Sequence, residues 1–116
     1  MRRVLFLSAL ALLVSSQPSR AILISEFLQR APIEQRAYAA GATNMLAFTE
    51  GLENNRAARM NCITGWYRTG GADQLFTALK LSPAAFKSRF GYDRNDDSLA
   101  HVELVLTRLA NDACPK

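Results

Sequence analysis

The sequence is poor in the side chains that carry most metal and acid–base chemistry. It contains one histidine, His101, and two cysteines, Cys62 and Cys114, in 116 residues. A structural zinc site needs four nitrogen or sulfur ligands, and these three side chains are too few and too widely spaced to supply them. A histidine base needs an orienting partner, and no recognisable pairing motif surrounds His101. The sequence therefore predicts no metal, no cofactor and no catalytic residue, and His101 is interpreted as a structural side chain on the polar side of the last helix.

The acidic residues near position 95 do not form a recognisable calcium loop. An EF-hand loop needs alternate oxygen ligands, a glycine at its middle and a closing glutamate. Asp93, Asp96 and Asp97 are interrupted by Arg94, and the glycine is absent. The favoured interpretation is a turn whose side chains cap the following helix.

The chain has no apolar run that would make a membrane-spanning helix of ordinary length. Its N-terminal apolar stretch, Val4 to Val14, is about half of the ~20 residues required. A basic head precedes it, and small residues, Ser19 and Ala21, follow at the positions that a signal peptidase reads. Residues 1–21 are therefore predicted to be a cleavable signal peptide and residues 22–116 a single secreted domain. An uncleaved, membrane-tethered form is the alternative.

The mature chain also lacks a strong charge of either sign. Three of the fourteen basic residues, Arg2, Arg3 and Arg20, precede the predicted cleavage site, which leaves eleven basic against ten acidic groups. A net charge of +1 gives no reason to expect nucleic acid or an anionic membrane as a partner.

The two cysteines are predicted to pair. An even number of cysteines in an oxidising compartment favours a disulfide, here between Cys62 and Cys114. The alternatives, a metal-binding pair and a catalytic thiol, both need partners that the sequence does not supply. A ring of this size stabilises a domain by about 4 kcal/mol in the chain-entropy description.

The spacing of apolar residues and the helix start and stop signals predict an all-α fold. Pro32 and the pair Ser82-Pro83 are helix-start signals, whereas the glycine-rich stretch 64–71 is predicted to be a loop. No stretch shows convincing strand alternation. The prediction is a small bundle of four to five helices tied by one disulfide, with helices near 22–30, 32–54, 73–81, 83–90 and 99–113.

The long helix 32–54 is predicted to be amphipathic. The apolar positions recur mostly every three or four residues: Ile33, Ala37, Ala40, Met45, Phe48 and Leu52. Gly41 interrupts this helix at a cost of about 1 kcal/mol relative to alanine. We therefore expect another group to approach the backbone closely at Gly41.

The strongest candidates for a binding role follow the first cysteine. Trp66, Tyr67 and Arg68 belong to the residue types enriched at binding hot spots. Trp66 is expected to fold back into the core, with binding as the alternative. For Tyr67 and Arg68 the core and the binding interpretations are equally weighted.

Four short elements occur in an order that resembles a known family. They are Tyr38-Ala39-Ala40-Gly41, Cys62-Ile63, Gln74-Leu75 and the closing Cys114-Pro115. In a secreted chain of this length, this arrangement resembles the Tai-like immunity proteins of bacterial type VI secretion systems. The resemblance implies a small helical periplasmic protein with a disulfide that binds and inhibits a peptidoglycan amidase toxin.

The predicted function is accordingly that of a non-catalytic periplasmic protein that acts by binding another protein. An amidase effector is the partner that the resemblance implies, with Arg68 as a polar anchor, and a homodimer is also compatible with the sequence. The alternative is a small helical periplasmic stress chaperone.

Overall fold

A computed structural model describes residues 21–116, in which the chain forms five helical segments and no strand. The predicted signal peptide lies, apart from Ala21, outside the described residues. Two of the five segments contain π-helical turns, Thr49–Glu53 and Tyr67–Gly71. The helices are α1 (Ile24–Leu28), α2 (Pro32–Phe48, continued by the first π-helical turn), α3 (Ala57–Trp66), α4 (Ala72–Leu79, joined to α3 by the second), α5 (Pro83–Phe90) and α6 (Val102–Ala113). The predicted all-α fold is confirmed.

Proline and serine mark the helix starts as predicted. Pro32 and Pro83 both occupy first-turn positions, where a missing N–H costs nothing. The Ser82 hydroxyl caps α5 by accepting a hydrogen bond from the Ala85 N–H at 3.2 Å. Gly91 ends the same helix with a φ of 84°, a conformation that glycine adopts without strain.

The predicted loop at 64–71 is wrong, because the end of α3 and the π-helical turn Tyr67–Gly71 run through it. The backbone is helical as far as Thr69, and only Gly70, with a φ of 145°, departs from helical geometry. Gly71 is required for a different reason. A Cβ at this position would lie 2.5 Å from Cε2 of the Trp66 indole, so the glycine lets the ring pack on the helix backbone. Gly70 accommodates the kink and Gly71 the Trp66 ring, so these glycines do not indicate a loop.

Two further expectations are also wrong. In the described part of the chain, no heavy atom apart from the local helix backbone lies within 4 Å of where a Cβ of Gly41 would stand, so no close approach occurs there. The last helix begins at Val102, and the preceding residue, His101, is extended and forms an antiparallel bridge with Leu23. His101 therefore precedes the helix, and a contact distant in sequence sets the helix start.

The core is one main cluster with a smaller one beside the disulfide. The main cluster joins α1, α4, α5 and α6 around Phe27, Leu75 and Phe86, all of which are fully buried. The smaller cluster consists of Ala47, Ile63, Ala110 and Cys114. It fixes α2 and α3 against the end of α6.

The predicted disulfide is confirmed. The Cys62 and Cys114 sulfurs are 2.03 Å apart, and the bond links the middle of α3 to the end of α6. Cys62 is exposed, whereas Cys114 is buried in the smaller cluster. Within residues 21–116, no helix has the length and apolar character that crossing a membrane requires.

Candidate binding surface

The three predicted binding residues do not share one exposed patch. Trp66 and Tyr67 are half-buried and pack edge to face with ring centres 6.3 Å apart. The Trp66 indole N–H donates to the Gln74 side-chain oxygen at 3.4 Å, and the ring packs against both apolar clusters. Arg68 alone is exposed. The packing of Trp66 fits the expectation that it belongs to the core.

Tyr67 faces α2 and α4 across a shallow pocket. Its neighbours around the pocket include Pro32 and Gln35 on one side and Phe76 and Lys80 on the other. Burial raises the pKa of the Tyr67 hydroxyl, which keeps it a neutral hydrogen-bonding group. Its ring lies at the edge of the main core and therefore joins the two helices.

Among the described residues, the most exposed of the large apolar side chains lie instead on the outer face of α2 and its π-helical turn. Met45 is 65% exposed, Phe48 56% and Leu52 65%. Successive members are three or four residues apart, so they form one row along the helix. We call Met45, Phe48 and Leu52 the α2 stripe. Ile33, 70% exposed, lies nearer the start of the same helix.

The α2 stripe corrects the predicted orientation of this helix. Hydrophobic periodicity predicts these large residues as the apolar side of an amphipathic helix, whereas the buried residues of α2 are the small ones, Ala39, Thr43 and Ala47. The Thr43 hydroxyl donates to the Ala39 carbonyl at 2.8 Å, which satisfies its polar group inside the core. Small residues let α3 and α6 approach closely, and the large ones are left facing outward.

A groove of about 600 Å³ lies between α2 and α6, alongside the stripe. Its walls are mainly apolar and include Ala42, Met45 and Leu46 from α2 and Leu106 from α6. Its polar groups include the Tyr38 hydroxyl, which donates a hydrogen bond to the Glu103 carboxylate. Burial, followed by the neighbouring Glu103, raises the pKa of Tyr38 well above its usual range. The groove is therefore mainly apolar, with the Glu103 carboxylate in its wall.

A buried ion pair supports the end of the α2 stripe. Glu50 and Arg59 are each 6% exposed, and Arg59 Nε lies 3.3 Å from Glu50 Oε1. This contact is ionic, since its geometry does not give Nε a hydrogen bond. A second Arg59 nitrogen donates to the Asn111 side chain of α6. The Asn54 amide first, and then Arg59, lower the pKa of Glu50.

Comparison of the chain with protein-family models, with curated proteins and with solved structures finds no match. Within residues 21–116, no group of three or more histidine, cysteine or acidic side chains is placed to hold a metal ion. What these residues do offer is a row of large exposed apolar side chains next to an open groove, an arrangement suited to binding a protein surface.

Proposed function

We propose that the mature chain is a non-catalytic periplasmic protein that acts by binding another protein through the α2 stripe and the adjoining groove. One observation carries the proposal: Met45, Phe48 and Leu52 form a row of large apolar side chains, each more than half exposed. Fully burying a side chain of this size contributes roughly 1.5 to 3 kcal/mol. A partner that covers all three therefore gains several kcal/mol from this row.

The shape of the surface favours a protein segment over a small molecule. A small-molecule site encloses most of its ligand, whereas the α2 stripe stands on an outward-facing helix beside an open groove. Helix-in-groove recognition uses apolar residues at intervals of three and four, which is the spacing of the stripe. The occupant we propose is an apolar ridge of the partner, laid along α2.

The partner that we propose is a peptidoglycan amidase effector, and this identification depends on the family resemblance. Under this proposal the chain would act as an immunity protein that covers the amidase cleft. Arg68, the exposed member of the predicted trio, would supply a polar contact from the turn between α3 and α4.

The test compares exposed apolar residues inside and outside the proposed surface. Phe48→Ala with Leu52→Ala should weaken binding of a candidate amidase, measured by calorimetry, by thirtyfold or more, about 2 kcal/mol. Leu104→Ala is the matched control, because Leu104 is 46% exposed and lies on α6 outside the groove lining. Both variants should keep the wild-type circular dichroism, since none of these residues is buried.

Equal affinities for the wild-type protein and the double variant would refute the role of the stripe. Arg68→Ala tests the polar anchor separately, because its side chain is exposed. A loss confined to Arg68→Ala would move the interface to the α3–α4 kink. If no amidase binds at all, the proposed partner is wrong, whether or not the α2 stripe binds another protein.

A second candidate, a periplasmic stress chaperone, is favoured by the position of Glu50. This carboxylate lies in the same π-helical turn as Leu52 and holds Arg59 of α3. Protonating it would weaken the support of the stripe and expose more apolar surface. Because the pKa of Glu50 is lowered, its protonation needs a pH below the usual range of a glutamate. The chaperone hypothesis predicts that the wild-type protein suppresses aggregation of a client protein in that acidic range and does not do so at pH 7.

A further inference from the structure

The predicted cleavage site lies next to a buried carboxylate oxygen that has no hydrogen-bond partner. Ile22, the residue that cleavage after Ala21 makes the first of the chain, is 5% exposed. Its carbonyl accepts the Val102 N–H at 3.1 Å, and Ile24 N–H donates to the Ala100 carbonyl at 2.9 Å. The backbone at this point is thus held against the start of α6, whereas Ala21 is exposed.

The Ile22 nitrogen begins a short series of hydrogen bonds between polar groups. Its N–H donates to the Tyr38 hydroxyl at 3.2 Å, and this hydroxyl donates to one oxygen of Glu103. The other oxygen, Oε2, is buried and finds no hydrogen-bond donor in the described part of the chain. A buried carboxylate oxygen without a donor is costly, and such groups are rare in native structures.

We infer that Glu103 is the counter-ion of the mature N-terminus, and that cleavage between Ala21 and Ile22 supplies the missing donor. Hydrolysis of this amide by a signal peptidase consumes one water molecule. Ala21 leaves with a carboxylate, and the Ile22 nitrogen becomes an ammonium. An amide offers one N–H, whereas an ammonium offers three donors and a positive charge. One donor keeps the Tyr38 contact, and a second is available for Glu103.

The electrostatic surroundings favour this pairing. Glu103 is the one charged side chain among the described residues that line the groove. Arg30 acts on Tyr38 only through its charge, and the raised pKa of Tyr38 keeps that hydroxyl neutral when the amine titrates. The first turn of α6 also favours the negative charge of Glu103, but it supplies no donor to Oε2. The interaction of Glu103 with the start of α6 is the same before and after cleavage. It can therefore be separated from the interaction of Glu103 with the Ile22 ammonium.

The inference is independent of the proposed partner and is tested by stability. Two chains are compared: one that begins at Ile22, and one that carries a Gly-Ser-Gly-Ser leader before Ala21. Each is made as wild type and as Glu103→Gln, and unfolding in urea is measured at pH 7. Glu103→Gln should raise the unfolding equilibrium constant at least tenfold in the chain that begins at Ile22, as expected for a charge-assisted hydrogen bond. In the leader-bearing chain the increase should be less than about threefold. Equal effects in both chains would overturn the inference.

A second measurement does not depend on any variant folding. The pKa of the Ile22 amine, followed by NMR, should lie above about 9, compared with 7.7 to 8.0 for an ordinary N-terminus. Because the folded pKa is raised, the stabilisation is complete below pH 8 and is lost as the pH rises through the folded value. An ordinary amine pKa would refute the pairing. So would mass spectrometry showing that the exported protein starts at a residue other than Ile22.

Discussion

Two glycines in helical backbone are predicted to respond to alanine with opposite signs. Gly71 follows Trp66 by five residues, and a Cβ there would lie 2.5, 2.6 and 2.9 Å from three atoms of the indole ring. All three contacts are closer than carbon atoms approach in proteins. The ring is rigid and packs against both apolar clusters, so it must move as a unit. Gly41 faces open space.

The magnitudes follow from two competing effects. Alanine gains about 1 kcal/mol over glycine inside a helix. Overpacking a filled site costs about 1 to 3 kcal/mol. Three contacts under 3 Å with a rigid ring place Gly71→Ala in the upper part of this range of costs. After the helix gain is subtracted, the variant should be destabilised by about 1 to 2 kcal/mol, which lowers the melting temperature by several degrees in a domain of this size. Gly41→Ala keeps the gain alone and should be stabilised by about 0.5 to 1 kcal/mol.

The assay is urea unfolding followed by circular dichroism and by tryptophan fluorescence. Trp66 is the single tryptophan, so its emission reports directly on the ring that Gly71→Ala displaces. Gly65→Ala is the matched control on α3, because Gly65 also has no neighbour near its missing Cβ among the described residues. A neutral or stabilising Gly71→Ala would show that the indole does not lie on this backbone. A destabilising Gly41→Ala would show that a group packs there.

Three further predictions concern the ion pair, a helix cap and the disulfide. Glu50→Gln should lower stability at pH 7 by about 3 kcal/mol, because it leaves Arg59 buried without its counter-charge. Since the pKa of Glu50 is lowered, the stability difference between variant and wild type should shrink as the pH falls below about 4, measured by urea unfolding. Ser82→Ala should cost about 1 kcal/mol by chemical denaturation, because the Ala85 N–H loses its acceptor. Cys62→Ser should lower the free energy of unfolding by about 4 kcal/mol. Cys114→Ser should lower it by about 1 to 3 kcal/mol more, because the serine hydroxyl is placed in an apolar cluster. Equal melting curves for the two variants would contradict the buried position of Cys114.

Local signals predicted the parts of the fold that local chemistry decides. The start of α2 at Pro32 and the cap at Ser82 depend on a few neighbouring residues, and both were predicted correctly. The disulfide followed from the number of cysteines and the predicted compartment. The start of α6 was missed, because it depends on Leu23 pairing with His101, a contact distant in sequence.

The orientation of α2 was missed for a different reason. Hydrophobic periodicity weights large side chains, and it therefore assigned Met45, Phe48 and Leu52 to the apolar side of the helix. The buried face consists of Ala39, Thr43 and Ala47, whose small size allows close helix packing. A row of small residues at intervals of four was the available signal. The candidate binding surface could not be found from periodicity alone, because its residues have the pattern of a core face.

The proposed binding surface and the proposed N-terminal pairing meet in the same groove but depend on different residues. Tyr38 and Glu103 lie in the groove wall beside Ala21, whereas Phe48 and Leu52 stand outside the groove lining. Ala21 itself lines the groove, so cleavage after this residue would remove it from the groove wall. Under the two proposals, the same cleavage would supply the ammonium and uncover the part of the groove beside Ala21. Partner binding should therefore be measured on protein that begins at Ile22, because a retained Ala21 would cover part of the groove even where the stripe is intact.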